Sequence, residues 1–201
     1  MNPKMEGLEE ELKFDSMFES GNLDMVIKTK PTTYDLYMRV DTNTRGHHQW
    51  FYFSVEVPES MMKKSVTFRV VNFTKPHSLY TSGMRICYSK RSDNYKWLKG
   101  GTNIKYGRSH LVRRASQDPT RVIYYSMLTF TFNFEKSHNS KLKDTEKIFF
   151  SYCYPYTFTM LQNFLREVSL HQKDSDIYKE SILCKSLSGV DVPLLTITSR
   201  M

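Results

Sequence analysis

The feature that most constrains the fold is a long run of β-forming residues at Val122–Phe134. It reads Val-Ile-Tyr-Tyr-Ser-Met-Leu-Thr-Phe-Thr-Phe-Asn-Phe, and it contains no glycine, proline or charged residue. Aromatic and β-branched side chains suit the pleated, half-buried surface of a sheet. Large and polar residues alternate in its second half, which is the period of a strand with one face in a core. The run therefore predicts a long strand and a β-rich fold.

Shorter runs of the same kind precede it and are separated by turn-forming residues. Ser65–Phe73 shows the alternation most clearly. Helical spacing is almost absent before Asp144. Six or more short strands with turns between them predict an antiparallel β-sandwich, and we assign it to residues 14–143. The other strand candidates are 23–28, 33–40, 49–57, 83–89, 96–97 and 104–106.

The stretch Asp41–Val55 combines a turn with an aromatic strand. Asp41–Gly46 is rich in residues that bond to their own backbone or tolerate positive φ, so the chain can reverse there. The strand after it has large side chains at alternate positions on both faces, which indicates a strand covered on both sides. We expect a β-hairpin with the preceding strand at Tyr34–Val40, and Trp50 with its aromatic neighbours in the core.

The pattern changes after Asp144. Lys147–Tyr154 is a strand-like apolar run, and helical spacing follows Pro155, with Thr157 or Thr159 as N-cap. Two further strands, joined by a turn at Ser188-Gly189, complete a second piece at 147–201. The polar segment 136–145 predicts the boundary between the pieces. A short acidic tail, 1–13, precedes the sandwich.

Composition excludes several classes of protein. The chain has 201 residues, of which 39% are hydrophobic and 25% charged, so a folded core is expected. No apolar run approaches the roughly 20 residues that span a bilayer, and the acidic start has no signal-peptide core. The three cysteines form no CxxC pair and predict reduced, buried thiols in a cytosolic protein: Cys87, Cys153 and Cys184.

The net charge of +8 is concentrated in one part of the chain. Between residues 85 and 121, ten basic residues meet only two acids, whereas residues 1–24 hold seven acids against two bases. A basic face steers polyanions toward itself in a salt-dependent way; alternatively, it is a solvated face without a dedicated partner. The candidate polyanion-binding residues are Arg85, Lys90, Arg91, Lys96, Lys99, Lys105, Arg108, Arg113, Arg114 and Arg121.

An ordered set of motifs resembles the cytosolic carboxypeptidases, the M14-type zinc peptidases that trim glutamates from tubulin and other acidic tails. The pieces cover almost everything from Phe14 to Ser199, and their order and spacing make the set specific. They are Phe18-Glu-Ser-Gly-Asn-Leu23, Tyr34-Asp-Leu36, Asp41-Thr-Asn-Thr44 with Gln49-Trp-Phe-Tyr-Phe53, Asn72-Phe-Thr-Lys75 with Ser78-Leu-Tyr80, Gly83-Met84, Trp97, Tyr152-Cys-Tyr-Pro-Tyr-Thr-Phe158 with Leu161, and Leu183-Cys-Lys-Ser-Leu-Ser-Gly189 with Leu195-Thr-Ile-Thr198.

The resemblance implies an N-terminal β-sandwich followed by the opening of an α/β catalytic domain, strand–helix–hairpin, which the chain carries only in part. It also implies a zinc site beyond Met201, which begins with His-x-x-Glu and adds a distant histidine and a catalytic glutamate. The partners it implies are that catalytic domain in cis and acidic C-terminal tails such as those of tubulin. Its implied location is the cytoplasm, cilia or microtubules.

The histidines in this sequence do not reproduce a zinc motif. Only His171 is followed three positions later by an acid, Asp174, and the family context and a third ligand are missing. His47 and His48 are neighbours at a turn, where adjacent side chains diverge, and a solvated turn is the better interpretation. We therefore predict no catalytic or metal-binding residue in this chain, and no cofactor bound to it.

Two hypotheses from different classes follow. In the first, the chain is the N-terminal scaffold of a zinc carboxypeptidase and is inactive alone. In the second, it is a non-catalytic module that binds acidic partners through the basic segment. A sandwich that makes protein contacts through exposed aromatic residues is a weaker third alternative. Nucleic acid is supported by charge alone, because no helix-turn-helix, RRM or zinc-finger pattern is present.

Overall fold

The protein is described by a computed structural model for residues 11–44, 46–115, 118, 120–135, 145–172 and 176–199. It is mainly β, as the sequence predicted. In chain order its strands are β1 (Lys13–Asp15), β2 (Leu23–Lys30), β3 (Thr33–Met38), β4 (Tyr52–Pro58), β5 (Ser65–Phe73), β6 (Ile86–Lys90), β7 (Trp97–Gly100), β8 (Thr102–Arg114), β9 (Val122–Asn133), β10 (Thr145–Ser151), β11 (Tyr178–Lys185) and β12 (Asp191–Ile197), and its α-helix is α1 (Phe158–His171).

Two five-stranded sheets form the larger part. Sheet A has the order β1-β4-β10-β6-β7 and sheet B the order β2-β3-β5-β9-β8. All pairs of neighbours are antiparallel except β3 and β5, which run parallel. The antiparallel sandwich is thereby confirmed, with one parallel pair that the sequence did not predict.

The core lies between the two sheets and is mostly aromatic. Phe68 of sheet B lies 5.4 Å from Phe150 of sheet A, measured between ring centroids, and 6.1 Å from Phe53. Phe132 meets Phe150 edge-on at 4.9 Å. These rings are at most 5% exposed. Aromatic pairs contribute beyond the area they bury, so this layer is the main source of stability.

The long strand predicted at Val122–Phe134 is confirmed as β9, and β5 has the predicted bounds. Leu128, Phe130 and Phe132 are buried, and the residues between them are half-buried. The alternation of the sequence therefore corresponds to one face on the core.

The hairpin expected from Tyr34–Val55 is wrong. β3 pairs with β2 and β5 in sheet B, whereas β4 pairs with β1 and β10 in sheet A, so residues 39–51 cross between the sheets. Hydrophobic alternation gives the face that a strand buries and leaves its hydrogen-bonding partner open, which explains the error.

Trp50 lies outside the core, contrary to expectation. Its indole is half-buried and its Nε1 donates to the Ser20 carbonyl at 2.8 Å. The Asn22 side chain donates to the Trp50 carbonyl at 2.9 Å and accepts from the Tyr52 amide at 3.0 Å. Phe51 is fully buried, as expected of the aromatic neighbours. The Trp50 segment therefore anchors the crossing chain to the loop before β2.

The division between compact units falls later than the sequence placed it. The first unit extends to Pro155 and the second begins at Tyr156. β10 lies between β4 and β6 at the centre of sheet A, although we had assigned Lys147 onward to the second piece. The strand is apolar because it is central to the sandwich. Most of the proposed boundary, 136–144, lies outside the described residues, as does 1–10 of the acidic tail, whereas Leu12 is buried.

The second unit consists of α1 and the hairpin β11–β12, as predicted. The Thr157 hydroxyl caps the helix by accepting from the Met160 amide at 3.2 Å. Gly189, with φ of +78°, lies in the turn between the strands, where a left-handed conformation favours glycine. Leu165 is the buried hydrophobic residue of the described part of this unit.

The cysteine prediction holds in part. All three thiols are free, but only Cys87 is buried, and Cys153 and Cys184 are exposed. Burial raises the pKa of the Cys87 thiol. Cys153 follows the end of β10 and Cys184 lies on the thinly covered second unit, so neither is enclosed by a second layer. No helix among the described residues is long and apolar enough to cross a membrane.

Candidate polyanion-binding surface

The structure divides the basic segment between the two sheets. Arg85, Lys90, Arg91, Lys96 and Lys99 lie on or beside β6 and β7 of sheet A, and Lys105, Arg108, Arg113, Arg114 and Arg121 lie on or beside β8 and β9 of sheet B. β7 leads into β8 through Gly101, whose φ is +82°. The two groups therefore lie next to edge strands that follow one another directly in the chain and belong to different sheets.

The arginines of the sheet A group are engaged in holding the fold. The Arg85 guanidinium donates to the Gly101 carbonyl at 2.8 Å. Arg91 is half-buried and donates to the carbonyl of Thr145, where β10 begins. Glu146, itself buried, accepts from the Ser92 amide at 3.1 Å. The contacts of Arg91 and Ser92 tie the turn after β6 to β10 and give Arg91 a structural role. The exposed Arg85 instead links the start of β6 to the junction of β7 and β8.

The lysines of this group differ in their surroundings. Lys90 Nζ lies 5.9 Å from the centroid of Tyr88, and Lys99 Nζ lies 5.6 Å from that of Tyr154. Lys96 is exposed in the turn that precedes β7. At such distances a cation–π contact is weak at an exposed site, so the ammonium groups keep their charge available to solvent.

The sheet B group lies on a hairpin that combines charge with aromatic rings. The Arg108 guanidinium carbon stacks 3.2 Å from the ring centroid of Tyr124, and that of Arg113 lies 5.9 Å from Tyr125. Stacking on a ring face holds a guanidinium in place while its N–H groups remain at the edge of its plane. Lys105, Arg114 and Arg121 are exposed.

The outer part of this hairpin also exposes apolar side chains. Val112 is 52% exposed, Val122 54% and Tyr124 44%. The acid of the connecting turn is engaged locally, because Asp118 accepts from the hydroxyl and the amide of Thr120, which lower the pKa of its carboxyl. The hairpin therefore presents cations and exposed apolar groups together.

The length of this hairpin was missed in the sequence. Only Ile104–Tyr106 was predicted as a strand, whereas β8 continues to Arg114 and pairs with β9 up to Val122. Glycine, serine and three arginines interrupt the apolar pattern in β8, and the ladder is irregular between Arg108 and Val112. The pairing with the strongly β-forming β9 compensates for that weak local preference.

The sequence patterns also gave no sign of a buried carboxylate, that of Asp35. The Asp35 side chain, 4% exposed, lies 2.5 Å from Arg69 Nε and 3.9 Å from His110 Nε2. Arg69 also donates to the Thr29 hydroxyl at 3.1 Å. A buried carboxylate needs such partners. β3, β5 and β8 supply Asp35, Arg69 and His110 from distant parts of the sequence, and no local pattern marks the group.

The prediction that His47 and His48 both lie in a solvated turn is wrong for His48. His47 is exposed, but His48 is only 7% exposed and lies 6.1 Å from Tyr125 between ring centroids. Burial is the main cause that lowers the pKa of its imidazole. His48 Nδ1 and Arg113 Nε are both buried without a hydrogen-bond partner among the described residues. The loop before β4 therefore packs its histidine against the basic hairpin.

The residues present do not fit a catalytic zinc ion. Among the described residues, no three His, Cys, Asp or Glu side chains come together in a way that could hold a metal. His171 Nδ1 is paired with the Glu167 carbonyl at 2.7 Å, and Asp174 lies outside the described residues. We therefore derive no metal-dependent step for this chain.

Comparison with known proteins identifies the first unit. Residues 14–152 match the family model described as the cytosolic carboxypeptidase N-terminal domain. Curated relatives include human cytosolic carboxypeptidase 1, with 38% identity over 94% of this chain and 15% of its own length, and human cytosolic carboxypeptidase 2, with 38% identity over 94% of this chain and 20% of its own length. The chain thus spans about a fifth or less of these relatives.

Solved structures show the same fold over nearly the whole chain. A metallo-carboxypeptidase from Burkholderia cenocepacia superposes with a TM-score of 0.61 at 18% identity and covers 95% of this chain and 40% of its own. A putative carboxypeptidase from Burkholderia mallei gives a TM-score of 0.62 at 19% identity and covers 98% of this chain and 42% of its own. The sequence matches and this fold agree, and the chain belongs to the cytosolic carboxypeptidase family.

Proposed function

We propose that this chain is the N-terminal scaffold of a cytoplasmic zinc carboxypeptidase that removes C-terminal glutamates from acidic tails such as those of tubulin. The main support is the family match at 14–152, together with relatives several times longer than the chain. The sandwich supplies a stable body, and a catalytic domain in cis supplies the zinc ligands and the catalytic glutamate. On this proposal residues 1–201 alone are inactive.

The positions of three histidines support the assignment of the zinc ligands to the catalytic domain rather than to this chain. His48 is buried against Tyr125, His110 lies beside Asp35, and His171 is bound to a backbone carbonyl. Each is engaged at a different place, whereas a catalytic zinc requires three protein ligands and an open position for water. When bound in the complete enzyme, zinc would lower the pKa of that water and polarise the scissile carbonyl.

A peptidase assay tests this function. Purified residues 1–201 with added zinc are compared with the longer reading frame on peptides that end in glutamates. We expect glutamate release from the long form only, and a His-x-x-Glu motif in its sequence. Hydrolysis by residues 1–201 would refute the scaffold role, and a long form that lacks both the motif and activity would refute the enzymatic one.

The second candidate is a non-catalytic module that binds acidic partners, and the exposed basic hairpin of sheet B favours it. Co-sedimentation with microtubules over a series of salt concentrations tests the idea, because contacts between exposed charges are screened over about 10 Å at 0.1 M salt. We expect binding that falls with salt and requires the acidic tails. Binding that persists after the tails are removed would exclude this function.

A further inference from the structure

Strand β8 has a free edge with an unusual set of side chains. It has 13 residues and ends sheet B, where its ladder is formed with β9 alone among the described strands. Its sequence, Thr-Asn-Ile-Lys-Tyr-Gly-Arg-Ser-His-Leu-Val-Arg-Arg, has four basic residues and no acid. A Cβ atom built on Gly107 would meet nothing within 4 Å. The strand is thus long and positively charged, with open space above the face of the sheet at Gly107.

We propose that the free edge of β8 binds an extended acidic segment of a polypeptide, which adds to sheet B as a further strand. A free edge offers alternating N–H and C=O groups along its length, and a second polypeptide backbone can match both. Nucleic acids and lipid headgroups can match the charge but not this ladder. A polypeptide partner therefore uses two features of the edge, whereas the other polyanions use one.

The side chains select for acidic residues in that segment. Opposite charges on directly paired positions of neighbouring strands stabilise a ladder, and like charges destabilise it. Lys105, Arg108 and Arg114 are exposed along β8, so glutamates on an added strand would lie opposite cations. The stack of Arg108 on Tyr124 holds one guanidinium ready, which reduces the entropy lost on binding.

The same charges oppose a second copy of the chain. Basic residues on an edge strand are a common protection against edge-to-edge association. Two β8 strands would place arginine and lysine opposite each other, which is unfavourable. Pairing of two β8 strands is therefore disfavoured, whereas pairing of β8 with an acidic strand is not. Protection alone would predict no affinity for any peptide, and this difference makes the proposal testable.

The inference rests on the proposed function only in the acidic nature of the partner, and it concerns a site in this chain rather than the hydrolytic centre. The test uses residues 1–201 and a short fluorescein-labelled glutamate-rich peptide. A second peptide has the same sequence but is N-methylated on successive residues, so that it keeps its charge and loses the amide hydrogens of both edges. Inorganic polyphosphate and phosphatidylserine vesicles are the other probes.

We expect the unmethylated peptide to bind, with N-methylation weakening it by at least about tenfold. Arg114→Glu should weaken it by about tenfold, whereas Lys30→Glu, the same charge change on exposed β2 at the opposite edge of sheet B, should leave affinity within about twofold. Lys105→Glu is a second variant on β8. Amide NMR shifts should be centred on β8 with the peptide bound.

Four results would overturn the proposal. Equal binding of both peptides, or equally tight binding of polyphosphate or vesicles, would mean that charge alone acts. Equal losses in Arg114→Glu and Lys30→Glu would place binding elsewhere. No binding would leave protection against self-association as the role of the charges. Glutamate release by the long form is measured separately, so its failure with intact peptide binding would refute the proposed function and not this site.

Discussion

The sandwich and the second unit both contain strands with apolar side chains, but those side chains differ greatly in burial. In the sandwich, two sheets enclose a continuous aromatic layer, and Phe53, Phe68 and Phe130 are fully buried. In the second unit, one helix faces one two-stranded hairpin, and Phe164 is 53%, Ile182 62% and Ile197 72% exposed. A two-stranded sheet has marginal stability without further layers. The contrast shows that apolar sequence alone does not make a core.

Hydrogen exchange should show the largest difference between the two units. Amides of β5 and β9 should exchange only through global unfolding, whereas those of β11 and β12 open locally. We expect the former to exchange at least about a thousandfold more slowly. Mass spectrometry after proteolysis, or NMR, measures both sets in one sample. Uniform protection across the chain would show that the second unit is as stable as the sandwich.

A pair of phenylalanine substitutions sharpens the comparison. Phe68→Ala removes a ring that contacts both sheets, and we expect a loss of about 3–5 kcal/mol in the free energy of unfolding. Phe164→Ala, on the exposed face of α1, should cost less than about 0.5 kcal/mol. Urea titrations followed by near-ultraviolet circular dichroism measure both. Similar losses would mean that the two units share their stability.

Substitution of a buried amide in the sandwich should cause the next largest loss of stability. The Asn72 side chain is 9% exposed, accepts from the Met38 amide at 3.0 Å and donates to the Met38 carbonyl at 2.8 Å. Asn72→Ala leaves both backbone groups without this partner and should cost about 1–3 kcal/mol. Asn163→Ala on α1 is the exposed control and should be nearly neutral. A neutral Asn72→Ala would indicate that water replaces the amide.

The helix cap tests the second unit by itself. Thr157→Ala removes the acceptor for the Met160 amide and should destabilise α1 by about 1 kcal/mol. Thr157→Ser keeps the acceptor and should retain most of the stability. Exchange of the α1 amides reports the change. If the sandwich amides changed to the same extent, the two units would unfold together.

The smallest expected effect is a dependence of the stability of the sandwich on pH. Burial lowers the pKa of the His48 imidazole below its ordinary value of 6.5. The unfolded chain therefore binds a proton at a higher pH than the folded one, and stability declines as the pH falls below about 6.5. His48→Gln should flatten that part of the profile, and His171→Gln, on exposed α1, should not. Parallel profiles for the wild type and His48→Gln would exclude this cause.

Local sequence patterns were informative where the secondary structure of an element depends on residues close to it in the sequence. β5 at Ser65–Phe73, β9 from Val122 and the Thr157 cap were all predictable, because alternation, residue type and a hydroxyl before a helical run act over a few neighbours. The pairing of β3 with β5 was not predictable, because a sheet partner comes from a distant part of the chain. Asp35 and its neighbours Arg69 and His110 were not predictable for the same reason.

The candidate surface was predictable in charge but not in arrangement. The sequence shows ten basic residues between Arg85 and Arg121. Only the folded chain separates Arg91, which is half-buried and donates to a backbone carbonyl, from Arg114 and Arg121, which are exposed on the hairpin. Side-chain contacts decide which charges remain available, and they depend on long-range packing.

By itself, the sequence determined the β-rich class, the family, the excess of positive charge and the existence of a helix and hairpin after Pro155, because composition, alternation and ordered motifs are properties of the chain. Only the tertiary structure decided that Tyr34 and Phe53 belong to different sheets, that β10 completes the sandwich, and that β8 forms a long free edge. Each of these depends on which distant backbone groups satisfy one another's hydrogen bonds, and local sequence does not encode that choice.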